Sequence, residues 1–179
     1  MTSPSASVRI TVAPVSAVLA TATGALRVAA DQIAYVGDVA FNLSDARRDP
    51  LSDAMAVLAD DRVVGFYRLD FAPNAVAGRD LGEPALGLRA MMIDAGMQGL
   101  GYGTLALQAC CDDASLRHPH RRLLALAVHG SNHRALGVYH RAGFVDSGQR
   151  LPGGAAGEQH LLLRRLQPRP SPASPAANP

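Results

Sequence analysis

Gln98-Gly99-Leu100-Gly101-Tyr102-Gly103 lies between the apolar run Ala90-Met91-Met92-Ile93 and a helix-like segment from Thr104 to Leu116. Strand, glycine loop and helix in that order make an anion-binding arrangement. Glycines at 99, 101 and 103 admit backbone conformations that a Cβ forbids, so successive N–H groups can turn inward, and the following helix aims its positive end at the same point. A pyrophosphate suits such a place, although Gly-x-Gly also occurs in plain turns. Two nucleotide-binding patterns fit poorly. Gln98-x-x-Gly101-x-Gly103 lacks the Lys-Ser/Thr pair of an NTP-binding loop, and no second strand carries the acidic residue that a dinucleotide fold supplies about 20 positions on.

Downstream, Asn132-His133-Arg134-Ala135-Leu136-Gly137-Val138-Tyr139-His140-Arg141-Ala142-Gly143-Phe144 forms a second recognisable unit. The first loop resembles the acyl-CoA-binding loop of the GNAT N-acetyltransferase family, Arg/Gln-x-x-Gly-x-Gly/Ala after a strand and before a helix. The second unit resembles the family's later motif, in which an Asn, a small residue, a Tyr and a terminal Gly-Phe recur at this spacing. The resemblance covers roughly residues 8 to 166 and is strongest from 85 to 147. Upstream, Asp31-Gln32, Tyr35-Val36, Leu43 to Ala46, Val64-Gly65-Phe66 and Arg89 to Asp94 look like the spermine/spermidine-type branch. The implied fold class is α/β, a GNAT-like mixed, mostly antiparallel sheet with helices on both faces.

Composition agrees with one catalytic domain. A chain of 179 residues with 48% hydrophobic and 18% charged residues is long enough for one core. A net charge of +2, with arginines scattered or paired, argues for neither a nucleic-acid nor a membrane partner. No apolar run is long enough for a membrane span, and Met1 to Ser7 lacks a secretory signal pattern, so a cytoplasmic location is the expectation. Cys110 and Cys111 are neighbours on a predicted helix and face different ways, which argues against a mutual disulfide and excludes a disulfide scaffold; their spacing is not that of a zinc site. No metal is expected.

Residues 1–7 are expected to be flexible, 8–166 to form the acetyltransferase domain, and 167–179 to be a disordered tail, since it holds five of the twelve prolines and no aromatic or branched aliphatic residue. Between the ends, the patterning predicts a strand over Val8–Val12, helices over Ser16–Val28 and Asp31–Leu43, and a hairpin of Ala54–Ala59 with Arg62–Phe71 about Asp60-Asp61. A strand over Leu86–Asp94 enters the glycine loop. After the loop helix come a strand over Arg122–Val128, a helix over Asn132–Ala142 closed by Gly143, a short strand Phe144–Ser147, a loop Gly148–Gly157 and a last strand Glu158–Leu166.

Acetyl transfer from a thioester to an amine needs an anchored donor, a neutral amine at attack distance and a proton for the departing thiolate. The resemblance implies acetyl-CoA as cosubstrate. It implies that the Gln98 side chain and the backbone of Gly99, Leu100, Gly101, Tyr102, Gly103 and Thr104 hold the pyrophosphate, while Met92 and Ile93 pair with the pantetheine arm like an added strand. Tyr139 is the candidate general acid, against the alternative of a packing tyrosine. Asn132 either contacts the CoA arm or caps the helix that begins there. His129 and His133 are either proton shuttles or packing and surface residues. The general base is left open, with a water chain as one solution.

The amine pocket is expected among the early helices and the hairpin, near Tyr35, Phe41, Phe66 and Tyr67. Asp31, Asp38, Asp45, Asp53 and Glu83 either meet a polycation or serve as caps and solvated faces. The reading is therefore direct transfer to a small primary amine, with polyamines first among substrates. An amino acid, aminoglycoside or protein amine is the alternative acceptor, and a non-catalytic acyl-CoA sensor the alternative function. A homodimer is compatible with the apolar run Leu161-Leu162-Leu163 but not demanded by it.

Overall fold

The computed structural model describes residues 8–153 and 157–167. The predicted flexible start and, apart from Gln167, the predicted tail lie outside the described residues. The chain order is β1 (Ile10–Pro14), α1 (Ala17–Gly24), α2 (Ile33–Val36), α3 (Val39–Arg48), β2 (Ser52–Ala59), β3 (Arg62–Asp70), β4 (Ala85–Ile93), a 3-10 turn (Ala95–Met97), α4 (Tyr102–Arg117), β5 (Leu123–His129), α5 (His133–Arg141), β6 (Val145–Leu151) and β7 (Gln159–Arg165).

Seven strands form one sheet in the order β1-β2-β3-β4-β5-β7-β6. Every neighbouring pair is antiparallel except β4 and β5, which run parallel. The expected mixed, mostly antiparallel sheet with helices on both faces is therefore the observed one. Alternate side chains explain the two layers. Tyr67 and Leu69 face a core with Leu86, Leu88, Leu107, Cys110, Leu124, Leu126 and Phe144, whereas Phe66 faces a smaller cluster with Val39, Leu43 and Met92.

Helix α4 buries Ala106, Leu107, Cys110, Cys111 and Ala114, spaced as one helical stripe, and mostly small residues let it sit close to the sheet. Full burial of a side chain like Leu107 contributes about 2–3 kcal/mol. The hairpin turns where expected: Asp60 and Asp61 both adopt positive φ, 44° and 67°, which matches the twist of a two-residue turn and suits Asp.

Three expectations are corrected. The helix expected over Asp31–Leu43 is two helices, because Gly37 takes φ 72° and Asp38 starts a new one, its carboxylate accepting from Phe41 N at 2.7 Å. The loop expected from Gly148 begins later, since β6 continues to Leu151 across a register shift against β7. Gly148, at φ 78°, supplies the irregular backbone, and its N–H is held by Asp146 at 2.8 Å. The first strand lies two residues downstream of its expected position, ending on Pro14, which an edge strand tolerates.

Candidate active site

The parallel pair sets up the site. β4 and β5 are in register at Ala85↔Leu123, Leu86↔Leu124 and Gly87↔Ala125, and there the pairing stops. Beyond Gly87 the strands splay. Ala90, at φ 50°, is the extra residue of a bulge against β3, where pairing steps from Phe66↔Met92 to Arg68↔Arg89. The β5-facing edge of β4 from Leu88 onward thus has no strand partner, and unpaired backbone groups at such an edge can receive an extended ligand.

One cavity, of about 360 Å³, runs from this edge to the glycine loop. Met92, Ile93, Gln98, Gly99, Gly101, Tyr102, Gly103, Thr104, Asn132 and Tyr139 all line it. Of the residues the sequence singles out for this role, only Leu100 does not; it is 58% exposed. Gly99 and Gly101 adopt φ of 81° and 79°, and a methyl built on either meets nothing within 4 Å, so the requirement for glycine is conformational. Gly103 differs from the sequence expectation. It lies inside α4 without a positive φ, and a methyl there would approach Val138 Cγ1 to 3.3 Å, so it keeps α4 and α5 close.

Helix α4 starts at Gly101 with no side-chain cap. Its first-turn N–H groups, which have no intrahelical partners, open toward the cavity with the positive end of the helix. The Gln98 amide is already engaged: Nε2 donates to Ile93 O at 3.0 Å and to Gln32 Oε1 at 2.8 Å, and Oε1 accepts from Gln32 Nε2 at 3.1 Å. Arg134 Nη1 also reaches Oε1, at 3.3 Å, and Arg134 and Arg141 add positive charge to the cavity wall. Asn132 caps α5, its Oδ1 accepting from Ala135 N at 3.2 Å, so the capping alternative holds while the side chain still lines the cavity.

A second cavity, of about 320 Å³, fills the fork between the splayed strands. Tyr35, Val36, Met91, Asn132, Ala135 and Tyr139 line both cavities, so the two meet there. Tyr139 is half-buried at this junction, edge-on to Phe144 with ring centroids 5.7 Å apart. Burial pushes its phenol up to about 12.

His129 is buried at the end of β5, its ring 5.6 Å from that of Tyr35, with Nε2 at 3.0 Å from Gln159 Nε2. Its Nδ1 has no hydrogen-bond partner among the described residues. His133 is exposed. Of the aromatic side chains expected around the amine, Tyr35 lines the second cavity, Phe66 and Tyr67 are core, and Phe41 is 62% exposed.

None of the five acidic residues weighed for a polycation lines either cavity. Asp38 caps α3, while Asp45, Asp53 and Glu83 pair with Arg68, Arg117 and Arg165. Among the described residues no group of three or more His, Cys, Asp or Glu is arranged to hold a metal. No described helix is long and apolar enough to cross a membrane. Gln32 and Arg89 belong to the stretches that carry the branch resemblance but take no site role from the sequence, because they enter the cavity walls only through the tertiary fold.

Fold and site together define a class: an α/β protein whose sheet divides over the open N-terminus of a helix, with a cavity running between them. A family model described as the acetyltransferase (GNAT) family matches residues 26–144, more than half of the chain. The Bacillus subtilis protein named uncharacterized N-acetyltransferase YbbJ is 32% identical over 108 residues, covering 60% of this chain and 67% of its own. Among solved structures, AAC(6')-Ib in complex with paromomycin and acetyl-CoA is similar in fold, with TM-score 0.69, 17% identity and coverage of 87% of this chain and 93% of that one. Spermidine N-acetyltransferase from Vibrio cholerae, in complex with CoA and spermine, gives TM-score 0.64, 13% identity and coverage of 88% and 95%. The chain belongs to the acetyltransferase (GNAT) family and is an N-acetyltransferase.

Proposed function

We propose that the protein transfers the acetyl group of acetyl-CoA directly to a primary amine of a small molecule, in a ternary complex. The observation that carries this reading is the meeting of two cavities at Tyr139. One has the shape and polarity of a donor site: a free strand edge for the pantetheine arm, and uncapped N–H groups and arginines for the phosphates. The other is an acceptor-sized cavity opening on the same point.

In this reading the amine in the fork attacks the thioester carbonyl, and the thiolate leaves along β4. Tyr139 gives it the proton. A phenol raised to about 12 is fully protonated at neutral pH, as a general acid must be. What supports a part for His129 in taking the amine proton, directly or through water, is its place in the acceptor wall and its unpartnered Nδ1. Direct transfer is supported over an acetyl-cysteine intermediate by the burial of Cys110 and Cys111, which pushes both thiols up, that of Cys111 to about 11.

The neighbouring structures hold an aminoglycoside and a polyamine, and both classes belong in the first panel of acceptors. The test is mass-spectrometric detection of acetylated product from acetyl-CoA and a panel of spermidine, spermine, paromomycin, amino acids and short peptides. Product with matching release of CoA is expected. Saturable acetyl-CoA binding with no product from any amine would replace the enzyme reading by that of a sensor.

A further inference from the structure

The acceptor cavity has an unusual charge balance for an enzyme of cationic substrates. Arg89 is the one side chain in its lining with a permanent charge, and no Asp or Glu lines it among the described residues. The remaining polar lining is neutral: Asn42, Asn132, Gln159 and the phenols of Tyr35 and Tyr139. His129, when protonated, only adds charge of the same sign. A polyamine or an aminoglycoside carries several ammonium groups, and all but the reacting one would enter facing a guanidinium with no carboxylate to meet them.

Arg89 is oriented by one ion pair. Its Nη1 donates to Asp70 Oδ2 at 2.9 Å, and its side chain remains 54% exposed. Asp70 is itself buried, with Oδ1 accepting from Ser52 Oγ at 2.6 Å and lying 3.6 Å from Arg68 Nη2. The buried carboxylate braces one edge of the guanidinium from behind, and the other N–H donors remain for a ligand. A planar cation oriented in this way suits a carboxylate.

We propose that the amine acceptor also carries a carboxylate, held by Arg89 while its amine lies toward Tyr139: an amino acid or a compound of that kind. This rests on the acetyl-transfer reading above and narrows its substrate class. A cavity of about 320 Å³ accommodates a molecule of that size.

The experiment compares matched pairs, each standard amino acid against its α-amide, beside spermidine and paromomycin, with acetyl-CoA as donor. Binding of the same compounds to the CoA-loaded protein is measured in parallel by calorimetry. A charge-assisted hydrogen bond is worth roughly ten- to a hundredfold, so at least one acid should exceed its amide in kcat/KM by about tenfold or more. Arg89→Gln, which keeps an N–H for Asp70, should bring that ratio toward one, and Arg89→Lys should restore part of it. An acid that binds the CoA-loaded protein in preference to its amide, without being acetylated, would support the carboxylate site and overturn the transfer reading. Turnover of spermidine or paromomycin with no acid bound or acetylated would overturn the carboxylate site and leave transfer standing. A ratio unmoved by Arg89→Gln, or no binding of any acid, would also overturn it.

Discussion

Gln32 and Gln98 exchange two amide hydrogen bonds, Nε2 of each donating to Oε1 of the other at 2.8 and 3.1 Å. The pair ties the segment before α2 to the entrance of the glycine loop, while a third bond, from Gln98 Nε2 to Ile93 O at 3.0 Å, ties that loop to the end of β4. The residue that the sequence motif marks as a phosphate ligand is thus also a brace for the backbone around the first cavity.

Gln32→Ala should therefore weaken acetyl-CoA. Removing one partner leaves the Gln98 amide half-paired in a partly buried site, a loss of about 1–2 kcal/mol or roughly tenfold in affinity. Calorimetric titration with acetyl-CoA checks this. The effect should fall on Kd and on KM for the donor rather than on kcat at saturation. An unchanged Kd would mean that the loop holds its shape without the brace.

Tyr139→Phe removes the proposed proton donor and keeps the ring that packs on Phe144. Loss of a general acid lowers kcat by on the order of a hundredfold or more, with acetyl-CoA affinity retained. Because burial raises the phenol to about 12, Tyr139 should cause no alkaline fall in kcat below about pH 10. The sign for stability agrees: with the folded value above the unfolded one, the contribution is present below about pH 10 and lost as pH rises toward 12. A variant with undiminished turnover would make Tyr139 a packing residue.

The local parts of this design are legible in the sequence, and the reason is physical. The Asp60-Asp61 turn, the glycine loop and the helix capped by Asn132 each depend on a few adjacent residues with restricted conformations, so their patterns survive in the linear chain. The break at Gly37 was hidden because the apolar spacing continues across it. The extension of β6 to Leu151 was hidden because Gly148 reads as loop when its partner strand is unknown. The second cavity is less legible still. It exists because β4 and β5 part company after Gly87, and that parting brings Tyr35, Arg89, His129 and Tyr139 around one space from four separate elements.

Two glycines of the motif, one at the cap and one inside α4, should respond differently to a methyl group. Gly101→Ala places a Cβ on a left-handed residue, which costs roughly 1–2 kcal/mol, and should weaken acetyl-CoA binding as the backbone shifts. Gly103→Ala sits in helical backbone, where alanine gains about 1 kcal/mol of propensity, against a contact of 3.3 Å with Val138 Cγ1. It should be close to neutral, whereas Gly103→Val should separate α4 from α5. Thermal unfolding with and without CoA distinguishes them. Equal losses from both alanine variants would contradict the assignment of different roles.

The buried ion cluster behind Arg89 and the second cavity is the last test. Arg68 is 2% exposed; Nε and Nη2 donate to Ser52 Oγ at 3.2 and 3.1 Å, and Nη1 to Asp45 Oδ2 at 2.7 Å. Its hydrogen bond holds the Asp45 carboxyl below the usual carboxylate range, so that contribution is present above about pH 4 and lost as pH falls further. Arg68→Met leaves the buried Asp70 carboxylate with Arg89 as its remaining cation and the Ser52 hydroxyl as its other donor among the described residues, so the loss should stay below the roughly 3–5 kcal/mol of a buried charge left wholly unpaired. Adding Asp70→Asn removes the half-neutralised buried carboxylate and should recover part of that loss. Urea unfolding of the single and double variants measures both. If the double variant were no more stable than the single one, the cost would lie in the space Arg68 fills rather than in the charge it balances.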